Sequence, residues 1–290
     1  MKPSYFKAAL AADALSLGPH WVYDQDQLAR EFPDGITGFS DPVSEYHKNR
    51  RAGQLTHLGD QMVMLQKALQ SGKYDQTTWR QTWLEEMKTF DGYLDGASKD
   101  TLATQGLSPS PSTHDLAGAS RIAPILDLDL SLDEKVEAAR SQTALTHGPD
   151  EVREAAEFYV RATGAVADGL DFKAAFRWAI ADGSYSALKP LDHLEAALAA
   201  GPHFRKVGKN FGVACNLSGA FPLSLYFALR PGADFSSAIS ENGLIGGDTS
   251  ARSMLFALLF EARDPGSASS HAPEPTTSSP KPKTPGMLPA

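Results

Sequence analysis

The sequence predicts an all-α protein, folded as a single compact multi-helix domain. Three observations carry this reading. Ala and Leu far outnumber Val and Ile, a bias towards helix over strand. Apolar residues recur every three or four positions along much of the chain, the spacing that lines one face of a helix. No convincing segment alternates apolar with polar residues, and Ile36–Phe39 is too short to carry a sheet.

The helices are expected in the following order. Residues 4–17 set Phe6, Leu10, Ala14 and Leu17 on one face, and residues 60–71 do the same with Val63, Met64 and Leu69. Residues 75–94 carry Trp79, Trp83, Met87 and Phe90 at helical spacing. Residues 133–145, 150–168, 171–182 and 191–200 repeat the pattern. Several have acidic first turns, where the helix dipole favours negative charge. Residues 219–229 and 249–263 complete the set. No Pro/Ser-rich linker interrupts the chain before 264, so residues 1–264 read as one domain. Beyond it, seven prolines (265, 273, 275, 280, 282, 285 and 289) lie among Ser, Thr and Gly. Proline lacks the amide donor a helix needs, and few apolar residues offset the cost of ordering, so residues 265–290 read as a disordered tail.

The chain has 290 residues and a net charge of -8, which offers no basic footprint for duplex nucleic acid. A single cysteine, Cys215, forms no internal disulfide and reads as core packing, because no base partner adjoins it. No apolar run reaches the roughly 18 residues of a membrane helix, and the first helix carries Lys7 and Asp13 rather than a secretory pattern. A cytoplasmic protein with no membrane partner is the expectation.

Four loops are candidates for chemistry. The first is Gly18-Pro-His20-Trp21-Val-Tyr23, where Trp21 and Tyr23 offer faces for a planar base and His20 a polar tip; the alternative is an aromatic plug over the core. The second, residues 53–61, contains Asp60, a metal ligand or an ordinary helix cap. In the third, His114, Asp115, Gly118, Ser120 and Arg121 are candidate substrate contacts. Gly118 would allow close backbone approach and Arg121 would grip an anion, unless Arg121 pairs internally. The fourth, residues 242–249, sets Gly246 and Gly247 before Asp248 and Thr249; its alternative is a glycine turn with Asp248 as N-cap. Asn216 and His147 are further candidates, for substrate contact and proton transfer respectively.

Taken in order, these stretches resemble the ADP-ribosylglycohydrolase family over residues 5–263. Ala8–Leu15 is similar to its opening GDAL helix, Gly118–Pro124 to its GA-x-R-IAP segment, Leu145–Gly148 to its Thr-His stretch, and Gly246–Thr249 to its GGDTDT motif. The resemblance implies an all-α fold with a central cleft that cleaves the glycosidic bond at the ribose C1 carbon of ADP-ribose. It also implies two Mg²⁺ or Mn²⁺ ions, held by a Thr-Asp-Asp motif and by GGDTDT. This chain departs from both metal motifs, reading Leu58-Gly-Asp60-Gln61 and Gly246-Gly-Asp-Thr-Ser250-Ala251. Its His-Trp-x-Tyr stretch resembles a divergent, crystallin-like branch. With so few carboxylates, two ions about 3.5–4 Å apart would repel strongly. One Mg²⁺ or Mn²⁺ on Asp60, Asp248 and Thr249 is the expected maximum. The implied function is hydrolysis of an ADP-ribosyl or related ribosyl N- or O-glycoside, with Asp60, Asp248 and His147 in catalytic roles. The implied partner is a small molecule or an ADP-ribosylated substrate. Two other readings stand beside it: a catalytically silent ligand-binding or structural protein, and an enzyme of a different small-molecule reaction.

Overall fold

A computed structural model describes residues 2–273. In chain order its helices are α1 (Tyr5–Ser16), α2 (Gln25–Glu31), α3 (His57–Ala68), α4 (Gln76–Met87), α5 (Gly96–Ala103), α6 (Ala117–Ser120), α7 (Ala123–Leu126), α8 (Leu132–Thr143), α9 (Asp150–Ala167), α10 (Phe172–Asp182), α11 (Pro190–Ala199), α12 (Phe204–Phe211), α13 (Leu217–Leu229), α14 (Phe235–Ile245) and α15 (Thr249–Arg263). Among the described residues there is no strand; isolated bridges join Ser110 to His147 and Asp115 to Asn216. The all-α expectation holds.

Side-chain caps explain where many helices begin. Asp24, Thr56, Asp75, Asp95, Asp171, Asn216 and Asp248 each accept a backbone N–H from the first turn of the helix they precede. Ser131 and Glu134 form a reciprocal capping box on α8. Helices α2, α5, α6, α7, α12 and α14 were not among the expected segments; all but α14 are too short to display an apolar period. The expected helix over 75–94 overran, since α4 stops at Met87. Residues 242–245, expected as loop, close α14 instead. Gly243 is tolerated there because Ile36 packs where a side chain would stand.

Helix α15 is apolar on nearly every face and buried from Thr249 to Ala262. A helix hydrophobic all round belongs inside, and α1, α9, α13 and α14 pack around it. Ala8, Ala11 and Ala12 are fully buried on α1, and their small side chains bring α1 close to α15.

The folded body runs past the expected boundary at 264. Glu261 is fully buried, and its carboxylate accepts from the backbone N–H groups of Ser4, Gly266, Ala268 and Ser269 and from the Ser269 hydroxyl. These bonds fold residues 266–269 back over α1, with Ala268 buried. The rest of the expected tail, 274–290, lies outside the described residues. Replacing Glu261 by Ala strands these donors and is expected to lower unfolding stability by about 3–5 kcal/mol. Chemical denaturation checks this; a loss under about 1 kcal/mol would show that the tether is dispensable.

Candidate functional site

Seven helix beginnings and loops meet around Trp21. Trp21 has a left-handed backbone (φ 60), which is uncommon for a bulky residue and requires support from its surroundings. Its N–H donates to Gly247 O at 2.7 Å, and Gly247 N–H returns a bond to Val22 O at 2.8 Å. Gly246 and Gly247 both have positive φ, and a side chain on either would strike the Val22 or Val213 carbonyl. These two glycines therefore serve loop-to-loop docking. The Trp21 indole lies over the His20 ring at 4.6 Å and donates to Cys215 Sγ at 3.3 Å. Tyr46 and Tyr93 stand edge-on to it at 5.0 and 4.9 Å. Trp21 is half-buried and Tyr23 and Tyr46 are exposed, so this aromatic group opens to solvent.

Beneath Trp21 lie three buried histidines, His20, His47 and His57. His47 Nε2 and His57 Nδ1 are 3.2 Å apart, and His57 Nε2 faces Asp95 Oδ2 at 3.4 Å. His20 Nδ1 lies 3.4 Å from Thr249 Oγ1 and 3.9 Å from Asp248 Oδ1. Burial, and then the neighbouring histidines, lower the pKa of His20; burial, His57 and Arg50 bring His47 to about 3.

Three carboxylates border the same space. Burial would raise Asp95, but the His57 ring and the Ser98 amide outweigh it and hold the acid well below its usual range. Burial, then the charges of Asp248 and Asp95, push Asp115 up to about 6. Burial also raises Asp248, while Arg252 works against that rise. Asp115 is half-buried, whereas Asp248 is 1% exposed with Oδ2 unpartnered.

The structure thus gathers His20, Trp21, Tyr23, Asp115, Asn216, Gly246, Gly247, Asp248 and Thr249 into one region. Within it Asn216 and Asp248 also cap α13 and α15. Other expected members lie apart. Asp60 is bound by Arg50 at 2.5 Å, and Asp91 lies 3.7 Å from the same guanidinium. Arg121, expected to grip a diphosphate, is 1% exposed and donates to Gln61 Oε1 and Thr146 Oγ1, both at 2.7 Å. Internal pairing wins because burying a guanidinium requires that its donors be satisfied. Gly118 leaves room for His147, whose ring would lie 2.6 Å from an added side chain. His147 bonds Thr146 Oγ1 at 2.8 Å and is kept neutral by burial and by Arg121, with its pKa near 3, so it is a poor proton donor at neutral pH. Ser120 is buried and donates to Ala117 O, and exposed His114 pairs with Glu151.

Sequence reasoning missed Asp13, His47, His57, Asp95, Tyr46, Tyr93 and Arg252. Asp13 did carry a signal, as a lone charge within Ala8–Leu15. It is fully buried and accepts from Thr56 N–H at 2.8 Å, from Thr56 Oγ1 at 2.6 Å and from Ser250 Oγ. Arg252 donates to Asn242 Oδ1, Val213 O and Gly246 O, bracing the turn before α15. The other missed residues have no spacing pattern that sets them apart.

The all-α body thus brings carboxylates and an aromatic cluster together where its loops meet. The chain belongs to the ADP-ribosylglycohydrolase family, whose model matches residues 7–260. A solved structure described as an ADP-ribosylglycohydrolase-related protein complex shares the fold, with a TM-score of 0.64 and 18% identity over 90% of this chain and 86% of that one. No curated protein matches the chain.

Members of this family usually bind divalent metals. The donors here do not fit a pair of hard ions. Asp60 pairs with Arg50 while burial outweighs that pairing and raises its pKa to about 7, the Thr249 hydroxyl donates to Ser16 O, and Thr56 and Ser250 direct their hydroxyls to Asp13. Mg²⁺ prefers near-octahedral oxygen coordination. The expected Asp60, Asp248 and Thr249 ligand set is thus drawn to separate partners.

Proposed function

We propose that the chain hydrolyses an N- or O-glycosidic bond to ADP-ribose or a related ribosyl group, on a small molecule or an ADP-ribosylated substrate in the cytoplasm, as a divergent family member. The observation that carries this reading is the carboxylate pair Asp115 and Asp248 beside the Trp21 platform. Burial raises both carboxylates; Arg252 opposes the rise at Asp248, whereas the charges of Asp248 and Asp95 add to it at Asp115. Protonated Asp115 gives its proton to the leaving group as the bond to C1 breaks. The Asp248 charge stabilises the oxocarbenium-like sugar. Water then adds at C1 and returns a proton to Asp115. Trp21 and Tyr23 supply faces for the base or sugar.

Incubating the purified chain with ADP-ribosylated peptides and small ADP-ribosides, and measuring free ADP-ribose by chromatography, tests this. Enzyme-dependent release is expected. Binding of ADP-ribose with no release from any of them would favour a silent binding protein, a reading that the internally paired Asp60 and Arg121 support.

A further inference from the structure

Among the described residues, one group of three or more His, Cys, Asp or Glu side chains brings its donor atoms together: His20, His47 and His57, all within 4.8 Å of one another. We propose that these three imidazoles form a binding site for one zinc-class divalent ion, a nitrogen site distinct from an oxygen-ligand magnesium pair.

The geometry supports three links in this argument. First, the spacing suits a small tetrahedral ion. Ligand nitrogens about 2.0–2.1 Å from zinc stand roughly 3.3 Å apart, and His47 Nε2 and His57 Nδ1 are already 3.2 Å apart. His20 needs only a modest approach. Second, outer partners orient the rings. Metal-bound histidines usually donate their second N–H to a carboxylate or other acceptor. Asp95 stands at His57 Nε2, so the ring turns Nδ1, which shares a hydrogen bond with His47 Nε2, toward the ion position. Asp248 Oδ1, Thr249 Oγ1 and the donating Ser250 N–H all stand at His20 Nδ1, so the ring atom turned to an ion is Nε2. Third, that Nε2 is buried without a hydrogen-bond partner. An orphaned polar atom on a fully buried ring is costly unless something satisfies it.

Burial and mutual repulsion also keep His20 and His47 neutral, the state in which imidazole binds metal. A cavity of about 120 Å³ whose lining includes Tyr46, His47 and Tyr93 borders the His47 side of the cluster. Imidazole donors favour borderline transition ions over Mg²⁺. With three protein ligands, the fourth position is left for water or a ligand atom.

The test uses the full chain, stripped with a chelator and then titrated with Zn²⁺, Co²⁺ and Mg²⁺. Its readout is metal uptake, so it stands apart from the hydrolysis reading. One tightly held Zn²⁺ per chain is expected by calorimetry and native mass spectrometry, with no competition from excess Mg²⁺. Co²⁺ should give the intense visible bands of a tetrahedral nitrogen site. His47→Ala should weaken zinc by more than about 100-fold, and Asp95→Asn, which retains a helix-capping side chain, by about 10–100-fold. If His47→Ala fails to fold, the Co²⁺ spectrum and Asp95→Asn carry the test. A folded wild-type chain that takes up no zinc, or affinity unchanged in both variants, would overturn the assignment.

Discussion

Replacing Asp13 by Ala should destabilise the chain by about 3–9 kcal/mol, the cost of stranding three donors in a dry core at about 1–3 kcal/mol each. Asp13 sits on α1, Thr56 caps α3 and Ser250 opens α15, so one carboxylate fastens three helices. The contact is tight: a side chain on Gly59 would overlap the Asp13 carboxyl. Asp13→Asn should cost about 1–2 kcal/mol, since one oxygen still accepts from Thr56 N–H and the hydroxyls can turn to accept from the amide. Urea denaturation measures both. A typical domain has only about 5–15 kcal/mol in total, so the Ala variant should melt far earlier. If Asp13→Ala matched wild type, the carboxylate would not be the fastening.

Asp115→Asn should reduce turnover of ADP-ribosyl substrates by about 10²–10⁴-fold, the usual worth of a positioned acid. Its amide cannot supply the proton. The pH profile distinguishes this role from a merely structural one. Burial and the neighbouring carboxylates raise the Asp115 pKa to about 6, and the active form is the protonated one. Wild-type kcat/KM should therefore hold below pH 6 and fall about tenfold per unit above it. In Asp115→Asn the residual rate should lose that fall. A wild-type rate that climbs through pH 6, or full activity in the variant, would remove Asp115 from the mechanism. Asp248→Asn should also lower turnover, through the lost negative charge at the sugar.

Much of the site's outline was legible without coordinates. The His20-Trp21-x-Tyr23 loop and the Gly246–Thr249 turn stand out because glycines and aromatic residues in a helix-breaking context are unusual locally, and both do reach one region. Their detailed roles were not legible. Gly246 and Gly247 dock the Val22 and Val213 backbones, and Arg121 satisfies Gln61 and Thr146 instead of a diphosphate. Each alternative turns on which atoms lie opposite, and those atoms come from other parts of the chain.

The sequence by itself determined most of the longer helices, because helix period, propensity and capping act between residues a few positions apart. It also determined family membership, through the order of four short motifs along the chain. Only the tertiary structure decided that His20, His47 and His57 converge, that Asp13 fastens α1 to α3 and α15, and that Asp60 is drawn to Arg50 while Asp248 faces His20. Such partnerships depend on how α1, α3 and α15 pack, and side-chain direction after packing leaves no periodic trace in the order of residues.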